Sequence, residues 1–208
     1  MKVLLINGSP RVDGCTYTAL HEVADSLMQE GIDTEIVWIK REAIRGCIAC
    51  GKCRKGGGKC AFGNDIVNEV IEKAKHADGF VVGSPVYFAS ANGALVALLD
   101  RAFYAGKQAF AYKPAAAVAS ARRAGTTSTI DELNKYFTIS HMPIVSSRYW
   151  PMIHGSTPAE ARRDMEGMQV MRILGRNMAW LLKCIQAGKQ AGINIPTAET
   201  PIMTNFIR

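Results

Sequence analysis

The chain has 208 residues, 48% of them hydrophobic and 21% charged, which is the composition of one globular domain and too little chain for two. No apolar run approaches the ~20 residues that span a bilayer, and the N-terminus resembles a strand more than a signal peptide, so we expect a cytoplasmic protein without membrane contacts. The formal net charge of +7 arises in residues 101–208, which contain 14 Lys and Arg and 6 Asp and Glu. This excess predicts a solvated basic face that attracts phosphorylated ligands. Because no nucleic-acid motif accompanies it, we expect no nucleic-acid partner.

Strands and helices are predicted to alternate along the chain. The continuous apolar run Lys2–Asn7 predicts a first strand that is buried on both faces. In chain order the predicted strands are Lys2–Asn7, Thr34–Ile39, Phe80–Gly83, Ala115–Ser120 and Ile144–Ser146. The predicted helices are Thr16–Gln29, Asp65–Lys75 with Asn64 as N-cap, Ala91–Tyr104 with Ser90 as N-cap, Thr127–Phe137 and Pro158–Ala187.

This alternation predicts a single α/β domain over residues 1–208. Five strands form a doubly wound parallel sheet with helices on both faces, and such sheets bind ligands at the carboxyl ends of their strands. A Cys-rich insertion at residues 46–63 interrupts the pattern, and residues from about 189 to 208 are predicted to form an arm over a neighbouring copy. A methionine-rich stripe on the last helix suits either an oligomer interface or the core.

The loop after the first strand, Gly8-Ser9-Pro10-Arg11-Val12-Asp13-Gly14-Cys15-Thr16, is predicted to bind a phosphate. It enters a helix whose free N–H groups and positive dipole end attract an anion. Ser9 and Thr16 add hydroxyl donors, and Arg11 adds a charged fork. The glycines fit neither the dinucleotide pattern nor a Walker loop, so a monophosphate is preferred. The alternative is an ordinary strand-to-helix turn.

Four of the six cysteines lie in the insertion, with the spacing Cys47-x2-Cys50-x2-Cys53-x6-Cys60. In a cytosolic chain such a run indicates a [4Fe–4S] cluster, a tetrahedral zinc site or plain thiols lining a pocket, more than disulfides. The basic side chains that would offset a cluster's negative charge are Lys52, Arg54, Lys55 and Lys59. Cys184, on the last helix, is interpreted as structural.

Two later loops are candidates for contact with a flat ring. Ser84-Pro85-Val86-Tyr87-Phe88 follows the third strand, and its adjacent aromatic side chains beside a proline either line a ring site or pack in the core. Ser120-Ala121-Arg122-Arg123 follows the fourth strand, and its arginines either meet a nicotinamide phosphate or lie on the solvated surface.

Gly-Ser-Pro-Arg followed by Gly-x-Thr, together with Ser-Pro-Val-Tyr-Phe, resembles the NADPH-dependent FMN reductase family of the flavodoxin-like superfamily over roughly residues 1–140. The resemblance implies that the first loop binds the FMN phosphate and that the two later loops border the ring. The implied FMN-binding residues are Ser9, Arg11, Cys15, Thr16, Pro85, Val86, Tyr87, Phe88, Ser120 and Ala121. The family commonly has Asn at the position of Cys15, and we interpret that thiol as a small buried filler.

The cysteine run is similar to the compact motif of iron–sulfur flavoproteins, which share this fold. That similarity implies a [4Fe–4S] cluster on Cys47, Cys50, Cys53 and Cys60. Relatives of this fold are dimers or tetramers whose flavin pocket spans two chains, which implies a homodimer or homotetramer in which Tyr149 or Trp150 completes the neighbour's site.

The sequence favours an FMN-dependent enzyme and leaves two alternatives, an electron carrier and a module without redox chemistry. As an enzyme, the protein passes electrons from NAD(P)H through bound FMN to a small acceptor such as a flavin, a quinone, a nitro or azo compound or a metal ion, and no side-chain acid or base is predicted. As an iron–sulfur flavoprotein, it carries electrons to a protein such as ferredoxin, which docks on the basic second half. The third is a phosphate-binding module without redox chemistry.

Overall fold

The computed structural model describes residues 1–55, 57–197 and 199–204, which form an α/β fold on a parallel sheet. Its strands are β1 (Lys2–Asn7), β2 (Asp33–Trp38), β3 (Gly79–Tyr87), β4 (Ser90–Ala91), β5 (Ala115–Ala121) and β6 (Met152–His154). The helices are α1 (Cys15–Gln29), α2 (Val67–Lys75), α3 (Gly93–Phe110), α4 (Thr126–Thr138), α5 (Pro158–Arg163) and α6 (Met165–Gln190), with a 3-10 helix at Lys52–Lys55. Within the described residues, no helix has the length and apolar character needed to cross a membrane.

The strand order of the main sheet is β2-β1-β3-β5-β6, and all of these strands are parallel. The short β4 folds back antiparallel on the end of β3. Because β1 lies between β2 and β3, the chain first moves to one side of β1 and then to the other. The carboxyl ends of β1 and β3 therefore flank the switch point at which such sheets bind ligands. This topology confirms the predicted doubly wound, flavodoxin-like sheet of five parallel strands.

The alternating side chains of the central strands divide the core into two halves, one on each face of the sheet. Leu4 and Ile6 of β1 lie in one half, where α2, α3 and α4 cover the sheet. Val3 and Leu5 lie in the other half, under α1, α5 and α6. These β1 side chains are fully buried, as the apolar run predicted.

The fifth parallel strand does not lie where it was predicted. Ile144 forms only an isolated bridge with Ala115, and the strand is β6, which pairs with the end of β5. The predicted segment Ile144–Ser146 was therefore wrong. The short apolar pattern of Ile144–Ser146 is typical of a strand, but only Ile144 pairs with the sheet. In β6, which follows Pro151, all three residues pair with β5.

The predicted helix Pro158–Ala187 is divided into α5 and α6 at Asp164. The Asp164 backbone leaves the helical conformation, and its carboxylate accepts a hydrogen bond from the Gly167 N–H at 2.9 Å, which caps α6. Two predicted caps also differ. Asn92, not Ser90, caps α3 by accepting from the Ala94 N–H at 2.8 Å, and α2 begins after Ile66 instead of Asn64.

Parts of two predicted segments lie outside the described residues. They are residue 56 of the Cys-rich insertion and residues 198 and 205–208 of the C-terminal arm. The arm was predicted from about residue 189, but α6 continues to Gln190.

Helices α1 and α6 lie close together at Gly175. A Cβ atom at this position would lie 2.7 Å from the Ser26 Cβ and 2.9 Å from the Val23 carbonyl oxygen. Gly175→Ala is therefore expected to lower the free energy of unfolding by about 1–2 kcal/mol, because overpacking outweighs the gain in helix propensity. Urea denaturation monitored by circular dichroism measures this change.

Gly188 on the same helix is the matched control, because an added Cβ would meet only Ile193 atoms at 3.8 Å, an ordinary contact. Gly188→Ala is expected to raise the free energy of unfolding by about 0.5–1 kcal/mol. Equal effects of the two substitutions would contradict a close approach at Gly175.

Candidate functional site

The loop after β1 is held in shape by the side chain of Asn7, which is completely buried. The Asn7 Oδ1 accepts a hydrogen bond from the Ser9 N–H at 3.1 Å, and its Nδ2 donates to the Val12 carbonyl at 3.0 Å. The Ser9 Oγ in turn accepts from the Arg11 N–H at 3.1 Å. The loop that was predicted to bind phosphate therefore has a defined conformation set by its own hydrogen bonds.

This loop leads into the N-terminus of α1, where Gly14 is the N-cap residue and, among the described residues, no side chain caps the helix. The N–H groups of the first helical turn thus lack a side-chain acceptor, which is the arrangement that binds an anion. Thr16 lies in this turn, is 1% exposed, and shares a hydrogen bond of 2.8 Å with the Ser120 Oγ. That bond joins the loop after β1 to the end of β5.

The segment after Val86 is a tight hairpin between β3 and β4. Phe88 and Ala89 form its turn and have φ angles of 51° and 60°, the left-handed values of a type I′ turn, although neither is a glycine. Helix α4 braces the turn: the Ser128 hydroxyl donates to the Ala89 carbonyl at 2.7 Å, and Glu132 accepts from the Ala91 N–H at 2.7 Å. The support from α4 holds a strained turn beside the carboxyl ends of β3 and β5.

These segments surround a cavity of about 200 Å³ at the switch point of the sheet. All predicted FMN-binding residues except Phe88 line it, namely Ser9, Arg11, Cys15, Thr16, Pro85, Val86, Tyr87, Ser120 and Ala121. The Phe88 side chain does not line the cavity and is fully exposed at the tip of the hairpin. The structure therefore brings together residues from three loops that are far apart in the sequence.

Five further residues line the cavity: Pro10, Gly14, Arg122, Gly155 and Ser156. Gly155 and Ser156 were not predicted because they follow β6, the strand that was placed too early. The Gly155 N–H donates to the Ala121 carbonyl at 3.0 Å, which extends the β5–β6 pairing to the cavity. Had β6 been located, the rule that ligands bind at carboxyl ends would have identified both residues.

The Cys15 thiol is half-buried at the cavity wall and donates to the Gly155 carbonyl at 3.4 Å. Burial raises the pKa of Cys15, and the backbone hydrogen bond and the charge of Arg11 offset this only in part. The direction of the shift agrees with the interpretation of Cys15 as a filler, because a thiol activated by the helix dipole would have a lowered pKa.

The raised pKa predicts that Cys15 reacts slowly. At pH 8 we expect iodoacetamide to modify Cys15 several-fold more slowly than the exposed Cys184, because the thiolate is the reactive form. Site-resolved mass spectrometry of the full chain measures both rates. Modification of Cys15 at the rate of Cys184 or faster would instead identify an activated thiol.

A second cavity, of about 110 Å³, lies against α3 and is lined by all four cysteines of the insertion. Cys47 and Cys50 are exposed, and Cys53 and Cys60 are half-buried. Two sulfur atoms accept hydrogen bonds: Cys47 from the Ala49 N–H at 3.5 Å and Cys60 from the Arg101 Nε–H at 3.3 Å. Around the described part of the chain, no three Cys, His, Asp or Glu side chains converge closely enough to hold one metal ion.

The donor chemistry of this cavity fits an iron–sulfur cluster. Four thiols are the ligand set of a [4Fe–4S] cluster, and N–H groups directed at sulfur atoms are typical of its surroundings. The residues 46–63 also carry four Lys and Arg and no Asp or Glu, so the local charge favours an anionic group.

Tyr149 and Trp150 lie apart from the cavity at the switch point and pack edge to face, with ring centroids 4.8 Å apart. Both rings are about half exposed and line a groove of about 370 Å³ with Ile130 and Ile144. Their predicted contribution to the site of a neighbouring copy stays a prediction.

Comparison with known proteins agrees with this geometry. The sequence profile of the NADPH-dependent FMN reductase family matches residues 1–157. An iron–sulfur flavoprotein of Methanocaldococcus jannaschii is 34% identical over 195 residues, which cover 89% of this chain and 100% of that protein. An iron–sulfur flavoprotein of Methanosarcina thermophila is 30% identical, over 91% of this chain and 99% of that protein.

Solved structures share the fold at low sequence identity. RosB, solved with a bound intermediate, superposes with a TM-score of 0.70 at 16% identity and covers 100% of this chain and 94% of its own. A flavodoxin from the domain Archaea superposes with a TM-score of 0.61 at 13% identity, covering 88% of this chain and 99% of its own.

Proposed function

The chain belongs to the NADPH-dependent FMN reductase family, and we propose that within it the chain is an iron–sulfur flavoprotein, as two similar proteins are named. In this proposal it carries electrons with FMN and a [4Fe–4S] cluster. The observation that carries this proposal is the lining of one cavity by Cys47, Cys50, Cys53 and Cys60, separate from the cavity at the switch point. The two cavities share no residue, so each can hold its own group. When bound, FMN supplies one- and two-electron chemistry and the cluster supplies one-electron chemistry.

The switch-point cavity would bind FMN at both the phosphate end and the ring end of the molecule. The first turn of α1, with Arg11 and the hydroxyls of Ser9 and Thr16, would bind the phosphate. Pro85, Val86, Tyr87, Ser120 and Ala121 would lie along the ring. The hairpin braced by α4 keeps the ring site in place, and no side chain of the cavity has to act as an acid or base.

The cysteine cavity supports a cluster better than a zinc ion. A tetrahedral zinc site requires four ligands within about 2.3 Å of one point, whereas a cluster presents a separate iron to each thiolate. All four thiols line one cavity, so each would be available to a different iron of the cluster.

Direct reduction by NAD(P)H is a second candidate, in which a small molecule is the acceptor. Arg122 lines the switch-point cavity and is exposed, so its guanidinium is available to a phosphate of the nicotinamide cosubstrate. Under this alternative the acceptor is a flavin, a quinone, a nitro or azo compound or a metal ion.

The electron carrier requires a protein partner, and the charge distribution suggests its chemistry. The basic excess in residues 101–208 and the basic side chains beside the cysteines would attract an acidic protein such as a ferredoxin. We also propose a homodimer or homotetramer, with the exposed Tyr149 and Trp150 at the contact between copies.

An absorption spectrum of protein purified without oxygen, with iron and sulfide assays, tests the two candidates. Flavin bands with a broad cluster absorption near ~400 nm and about four irons per chain would support the electron carrier. Flavin bands without iron, bleached by added NADPH, would support the reductase and contradict the cluster. A colourless protein that does not bind added FMN would contradict both.

A further inference from the structure

Arg101 is a charged side chain in the core to which the proposed function assigns no role. It lies in the middle of α3, about two helical turns after Gly93, the first residue of that helix, and is only 1% exposed. A buried guanidinium is rare and needs partners for its charge and its donors. Every partner of Arg101 lies in or next to the cysteine insertion.

All five N–H donors of Arg101 find an acceptor. Asp65, which is 7% exposed, pairs with the guanidinium through both of its carboxylate oxygens. The Arg45 and Phe62 carbonyls accept at 3.1 and 3.0 Å, and the Cys60 sulfur accepts the Nε–H at 3.3 Å. The guanidinium on α3 thus contacts both ends of the insertion: Arg45 just before it, Cys60 as its last cysteine, and Asp65 between it and α2.

Cys60 is held on a second side by Asn68 of α2. The Cys60 N–H donates to the Asn68 Oδ1 at 2.8 Å, and the Asn68 Nδ2 donates to the Cys60 carbonyl at 3.0 Å. The backbone of Cys60 is therefore fixed by α2 and its sulfur by α3, whereas Cys47 and Cys50 are exposed. The Cys60 sulfur is thus held by a helix of the core, whereas the hydrogen bond to the Cys47 sulfur comes from the Ala49 N–H within the insertion itself.

We propose that Arg101 is a positioning residue for the cysteine cavity, which holds the Cys60 sulfur through its Nε–H and thereby raises the reduction potential of a cluster bound there. This inference rests on the proposed cluster. Hydrogen bonds to sulfur and nearby positive charge favour the reduced cluster, which carries one more negative charge. Arg101 supplies the hydrogen bond from a rigid helix, while Asp65 balances its charge, and a lysine, with its compact ammonium, would not reproduce the fork.

The double variant Arg101→Met with Asp65→Asn tests the hydrogen bond without leaving a buried charge. Removing Arg101 alone would leave Asp65 unpaired and destabilise the fold, whereas the double variant removes both charges and keeps similar side-chain shapes. Arg176→Met is the matched control, because Arg176 is an exposed arginine on α6 that does not line the cysteine cavity. Each variant is purified as the full chain with its cluster.

The midpoint potential of the cluster, from an anaerobic redox titration followed by electron paramagnetic resonance, is the deciding measurement. We expect the double variant to be about tenfold harder to reduce than wild type, which is a fall of about 59 mV for a one-electron couple. Arg176→Met should keep the wild-type potential. Hydrogen exchange of the iron-free chain should also be faster at Cys60 in the double variant than in wild type.

The outcomes separate the two proposals. The double variant could lose iron together with stability and still keep the wild-type potential in the molecules that retain the cluster. That result would show that Arg101 has only a structural role, and it would contradict this inference alone. A wild-type protein without iron after anaerobic reconstitution would contradict the proposed cluster, and the inference with it.

Discussion

Replacement of Cys50 by alanine is expected to lower the iron content from about four atoms per chain to fewer than about one, since a cubane cluster needs each of its four thiolates. Cys50 is exposed and lines the cysteine cavity, so its removal should leave the fold intact. The FMN content should not change, because the switch-point cavity contains no residue of the insertion. Iron and sulfide assays and the visible spectrum of the reconstituted protein measure both cofactors.

Cys184→Ala is the matched control for this experiment. Cys184 is also an exposed cysteine, but it lies on α6, outside the cavity. It should retain the full complement of iron. A full complement of iron in Cys50→Ala as well would show that the insertion does not bind a cluster through Cys50.

The double substitution Arg11→Met with Thr16→Val is expected to weaken FMN binding about a hundredfold. Arg11 and Thr16 are the charged and hydroxyl donors at the N-terminus of α1, and hydrogen bonds to a charged group contribute about 1.5–3 kcal/mol each. A combined loss of about 3 kcal/mol corresponds to that change in the dissociation constant. Quenching of flavin fluorescence on titration with the iron-free chain measures it.

Riboflavin provides an internal control, because it has the same ring but no phosphate. Its affinity should change by less than about threefold in the double variant, since the ring site at Pro85 to Tyr87 is untouched. Arg176→Met, which removes an exposed charge from α6, should leave both affinities at the wild-type value. Parallel losses of FMN and riboflavin would place the phosphate elsewhere.

The parts of the fold that were predictable from the sequence are those with strong local patterns. The first strand is a run of apolar residues that ends at Gly8, and its bounds in the structure are the predicted ones. The position of the first loop was predictable for the same reason, because a buried strand, a glycine-rich turn and a helix follow one another in the sequence. The predicted ligands from three loops meet because parallel strands bring their carboxyl ends to one edge.

The features that were missed depend on contacts between distant segments. Strand β6 has only three residues, and its place is set by pairing with β5. The burial of Arg101 was not predicted either, because in the sequence it resembles any charged residue on a helix. Its burial depends on Asp65, which is 36 positions away, so no local pattern identifies it.

The hydrogen bonds of Asn7 have a consequence for how quickly a ligand can bind. A loop that becomes ordered only on binding loses conformational entropy at that moment, which weakens affinity and slows association. Here Asn7 and the Ser9 hydroxyl order the loop when the chain folds. The entropy loss is thus part of the folding equilibrium, and a phosphate that meets this loop would require no slow rearrangement of the loop after contact.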